Sequence, residues 1–183
     1  MAPLRYLVPP LLLAVYAVAR AIDGSDGDHG PGLAWDVGHV AFLVAFLGFG
    51  VLTVDFWRRS PRPHAGVHVA ALASLAGIGL FCWVIVTDLS PSLDQRASLP
   101  DPVMAVGPLL FIGGFVAALA LHARQHGFTA WWAPPALVLA GLLAVGADLD
   151  LLPVTALAVG AGLLLAGRQE SPPAPRRAAA AVR

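Results

Sequence analysis

Six histidines are the residues of this 183-residue chain best equipped for chemistry, and four of them come in pairs. His64 and His68 stand four apart, and so do His122 and His126. On a helix that spacing puts both imidazoles of a pair on one face. Imidazole is the commonest metal ligand and suits zinc, copper, nickel or haem iron. Two such pairs brought together would form a four-histidine transition-metal or haem site, with His68 and His122 the pairing suited to bis-histidine haem. Pointing apart, they would serve as polar anchors, with a cationic His126 favoured by its helix C-terminus. Asp36 and His39, three apart, form a second constellation. They read as a water-reachable pair steadying a helix start, or as a proton-sensing or ligand-contacting pair.

Other chemistries lack their parts. A single cysteine, Cys82, excludes an intrachain disulfide and Cys-rich zinc sites, and it reads as a small packing residue. Eleven arginines against eleven acidic residues leave no electrostatic footprint for nucleic acid. Ser74 lies about two helical turns from His68, with no base to activate it. The run 23–30 resembles a calcium loop but lacks the ligand spacing and distal glutamate of an EF-hand, so a solvated loop is expected. Asp55 close to Arg58 and Arg59 predicts an interfacial ion pair.

The elements that must position these residues are apolar. Hydrophobic residues make up 58% of the chain and charged ones 12%, with mean hydropathy +0.76. A soluble domain carries about 25% charged residues, and a core of this size cannot absorb so much apolar surface. A bilayer crossing needs about 20 apolar residues. Six segments qualify or nearly do: 4–22, 33–57, 64–87, 102–126, 131–147 and 151–167. The expected fold is an all-α polytopic transmembrane bundle over residues 1–167, with 168–183 as a disordered cytoplasmic tail. The last two segments are short and joined only by Asp148, Leu149 and Asp150, so they form a tight spanning hairpin or a re-entrant pair. No Asp, Glu, Arg or His falls near a helix middle, where transporters place such groups.

Local punctuation agrees with helices. Asp101-Pro102 opens one, Gly127 suits a C-cap after His126, and Pro134 and Pro135 fall in a first turn. Pro9 and Pro10, inside the first segment, predict a kink. That segment could also be a cleaved signal peptide, with Ala17-Val18-Ala19 as the cleavage site. Gly113/Ala117, Gly114/Ala118 and Gly162/Ala166 would allow close helix approach.

Nine of the eleven arginines fall on one side of an alternating six-helix topology; only Arg20 and Arg96 fall on the other. The positive-inside rule then puts both termini in the cytoplasm of a bacterial inner membrane. Trp35-x3-His39, after an acidic Gly-rich loop and opening a Leu/Val/Gly helix, resembles uncharacterised small polytopic membrane proteins of GC-rich bacteria. The resemblance covers the first third of the chain and implies no activity. The expected role is a non-catalytic accessory or assembly component in the lipid bilayer, packed against a membrane-protein partner or a second copy. A metal- or haem-binding protein is the alternative, and a small transporter the third class.

Overall fold

Prolines and small residues set where the helices start and how closely they approach. The structure is a computed structural model that describes residues 4–26 and 30–170. Those residues form seven α-helices and no strand: α1 (Val8–Asp23), α2 (Leu33–Arg58), α3 (Ala65–Asp88), α4 (Pro91–Ala97), α5 (Asp101–Gln125), α6 (Ala133–Ala147) and α7 (Leu152–Glu170). Five helical stretches are long and apolar enough to cross a membrane; α6, at 15 residues, is shorter. Its helical length is about 22 Å at 1.5 Å per residue.

The boundaries correct four expectations. Pro9 and Pro10 do not kink α1. They occupy its first turn, after a separate 3-10 turn at Leu4–Tyr6, where a missing N–H breaks no ladder bond. The short α4 fills a stretch read as loop, its first turn opened by Pro91. The proline inside a helix is Pro108 in α5, which has no N–H to offer the Met104 carbonyl. And α7 runs on through Glu170, three residues past Gly167. The proposed tail from 171 onward and the loop centre at 27–29 lie outside the described residues.

Six long helices pack as a ring in the order α1, α2, α3, α5, α6, α7, and α7 returns to α1. Across the ring α2 also meets α5. The tightest approach is between α3 and α5: a Cβ on Gly114 would land on the Ser74 backbone, and one on Gly77 on the Phe111 backbone. Gly162 lets α7 approach the Pro134 carbonyl of α6, whereas Gly113 faces open space. Such small residues let helix backbones approach closely.

The interior is aromatic. Phe49 lies 5.3 Å from Phe111 and 5.0 Å from Phe115 between ring centroids, both in edge-to-face contact. Mid-bundle hydroxyls are spent on linking helices. Thr53 Oγ1 and Ser74 Oγ join α2 to α3 at 2.9 Å, and Thr155 of α7 donates to the Gly141 carbonyl of α6 at 2.8 Å. The outward face is apolar: Leu11, Val51, Val69, Leu109 and Leu157 are all more than half exposed.

Candidate functional site

The densest group of polar side chains closes one end of the ring, here the Arg5 end. Four elements feed it: the turn before α1 brings Arg5 and Tyr6, α2 brings Asp55 and its capping residue Arg59, α5 brings His122, and α7 brings Glu170. Asp55 and Arg59 are one helical turn apart and pair at 2.7 Å. Asp55 also faces Arg5 Nε at 3.3 Å. Arg5 Nη2 donates to Glu170 Oε2 at 2.6 Å. His122 Nε2 donates to the other oxygen of Glu170 at 2.5 Å, since a carboxylate only accepts. The result is an alternating chain, Arg59–Asp55–Arg5–Glu170–His122, whose two guanidiniums balance its two carboxylates.

Burial makes this chain matter. The His122 side chain is 1% exposed and that of Glu170 10%. Low surrounding dielectric strengthens such contacts and raises the cost of breaking one. The His122 ring is held by Phe56 at 4.6 Å and Phe128 at 6.0 Å between centroids. Phe128 arrives there through local sequence. Gly127 takes φ of 67°, a conformation open to glycine, and the Phe128 N–H bonds the Ala123 carbonyl at 3.0 Å. This glycine cap ends α5 and turns the chain back over His122. The fully buried Tyr6 stacks on Phe56, and its hydroxyl faces Glu170 without closing a hydrogen bond of good geometry.

The four paired histidines take separate tasks. His64 caps α3, accepting from the Gly66 N–H at 3.2 Å. His68, exposed, accepts from Trp57 Nε1 at 2.8 Å. His126 Nδ1 donates to the His122 carbonyl at 2.9 Å, its ring 4.1 Å from that of His122. Among the described residues, no three His, Cys, Asp or Glu side chains come together to hold a metal ion. Each pair straddles a helix end, His64 being the residue before α3 and His126 the residue after α5, and the four rings take different partners.

At the opposite end Asp36 and His39 are not brought together. His39 is buried and Asp36 exposed. His39 Nδ1 donates to the Trp35 carbonyl at 2.9 Å, and Nε2 faces Asp88 of α3 at 3.9 Å. Arg20 of α1 meets Asp150 at 3.5 Å.

Two residues escaped sequence reading. Glu170 is the one glutamate of the chain and follows the last apolar run, just before Ser171-Pro172-Pro173. Its signal was a lone acid at the end of the last apolar run. Gln125 accepts from Ser60 at 2.6 Å and donates to the Arg62 carbonyl at 3.2 Å, tying the α2–α3 turn to α5. Nothing in local spacing announces that contact. No family model matches the chain, and neither does any curated protein or solved structure.

Proposed function

We propose that the chain is a multi-pass integral protein of the bacterial inner membrane, its Arg5 end in the cytoplasm, acting as a non-catalytic accessory or assembly component. One observation carries this proposal. Four of the buried polar side chains, Thr53, Ser74, His122 and Thr155, are used in helix-to-helix links, and large apolar side chains face outward along the ring. Soluble monomers rarely expose continuous apolar surface on that scale. The arginine asymmetry supports the sidedness.

The non-catalytic part rests on the histidines. Among the described residues His64, His68 and His126 are engaged locally, His122 is bound to Glu170, and no three His, Cys, Asp or Glu side chains gather, so nothing there favours the metal or haem alternative. The experiment is fractionation followed by metal and absorption analysis of detergent-purified protein. Carbonate-resistant membrane association, sub-stoichiometric metal and no Soret band are expected. Protein in the soluble fraction would overturn the membrane proposal. A stoichiometric metal or haem signal lost in His68→Ala/His122→Ala would overturn the non-catalytic one. Reporter fusions near residue 60 test sidedness, and periplasmic activity there would reverse it.

A further inference from the structure

Between α1, α2, α3, α5, α6 and α7 lies a cavity of about 230 Å³. Phe42, Phe46, Phe49 and Phe111 wall one side, and Leu13 and Leu142 the other. It reaches the opposite end of the ring at Gly146 and Leu149. From there it extends inward to Leu13 and Phe46, about 15–20 Å of helix from that end at 1.5 Å per residue. Its one polar lining side chain, Thr155, already gives its hydroxyl to the Gly141 carbonyl. Water in a cavity needs two to four polar partners, and this wall offers none.

The cavity is thin-walled towards the surroundings. Pro108 and Ile112 of α5 and Val145 of α6 are half-buried, Gly146 and Leu149 are exposed, and nothing lies within 4 Å of where a Gly146 Cβ would stand. Pro108 leaves a gap in the α5 hydrogen-bond ladder at this height. An enclosed apolar cavity of about 150 Å³ stays dry and takes a benzene ring; this one is larger and runs inward along the helices.

We propose that this cavity is a binding site for the acyl chain of a membrane lipid, which enters sideways between α5 and α6. The inference rests on the membrane proposal above, because the opening lies among outward-facing apolar side chains where acyl chains are then the solvent. A flexible aliphatic chain fits the lining: carbon on every side, aromatic faces along one wall, no donor or acceptor to satisfy.

The test uses the full chain in phosphatidylcholine vesicles doped with a phosphatidylcholine bearing a diazirine in mid-chain, with cross-linked peptides mapped by mass spectrometry. Wild type should label at α5 and α6 cavity residues as well as on the outward face of α1. Gly146→Trp puts its side chain into open space, so the fold should persist. Its cavity labelling should fall roughly tenfold, the change given by about 1.4 kcal/mol of lost affinity, while labelling of Leu11 and Val18 is unchanged. Equal cavity labelling in the two proteins, or labelling confined to outward faces, would overturn the acyl-chain site alone. Absence of lipid labelling anywhere would instead sink the membrane proposal.

Discussion

Arg5 and Arg20 sit at opposite ends of the same bundle and close it differently. Arg5 is held between two carboxylates from two other helices, and Glu170, its closer partner, is in turn bound by the buried His122. Among the described residues Arg20 pairs with one carboxylate, Asp150, whose side chain is 78% exposed. Next to that second pair, His39 and Asp88 stand 3.9 Å apart. One end is therefore a connected ionic network over four elements, and the other a set of separate, wetter pairs beside an apolar cavity. The contrast teaches where the ring is fastened. Charge joins α7 to α1, α2 and α5 at the Arg5 end, and at the Asp150 end the helices rely on apolar contact that leaves space inside.

The largest expected effect breaks the fastened end. Glu170→Gln leaves Arg5 and His122 without their common anion, and each hydrogen bond to a charged group is worth about 1.5–3 kcal/mol. Asp150→Asn at the other end should cost under about 1 kcal/mol, as exposed pairs do. Thermal unfolding of both variants in detergent gives the difference directly, and equal losses would erase the contrast. His122→Ala against His39→Ala repeats the comparison with two buried imidazoles. A hydrogen bond to a charged group is worth about 1.5–3 kcal/mol and a neutral one about 1 kcal/mol, so the His122 variant should unfold first.

Mid-bundle, Thr53→Val should cost about 1 kcal/mol by leaving the Ser74 hydroxyl without its partner. Combining it with Ser74→Ala should recover part of that loss, and a double variant that is fully additive would deny the link. The smallest effect is expected for His68→Ala, where an exposed contact with Trp57 is lost. A change within about 0.5 kcal/mol is expected of such surface sites. A large loss reversed by added zinc would restore the metal alternative.

Much of the fold was legible because apolar length and proline placement act locally. The runs around 33–57 and 64–87 show as helices in sequence, and Gly127 marks the end of α5. Pro9 and Pro10 misled because the preceding turn at Leu4–Tyr6 was not separated from the helix, so first-turn prolines looked internal. The site was far less legible. Spacing fixes which face of a helix two histidines share, but not the rotation of that helix against its neighbours. Glu170 finds Arg5 at a separation of 165 residues, and only ring closure brings them together. The cavity follows from how six helices fail to fill their centre, a property of no single segment.

The most direct test of the fastening is a double-mutant cycle on Arg5→Gln and Glu170→Gln, read by unfolding free energy in detergent. Coupled residues in one network give interaction energies of about 0.5–3 kcal/mol, and independent sites add within about 0.5 kcal/mol. The account predicts coupling in the upper half of that range, with the double variant clearly more stable than the sum of the single losses implies. Simple additivity would contradict it.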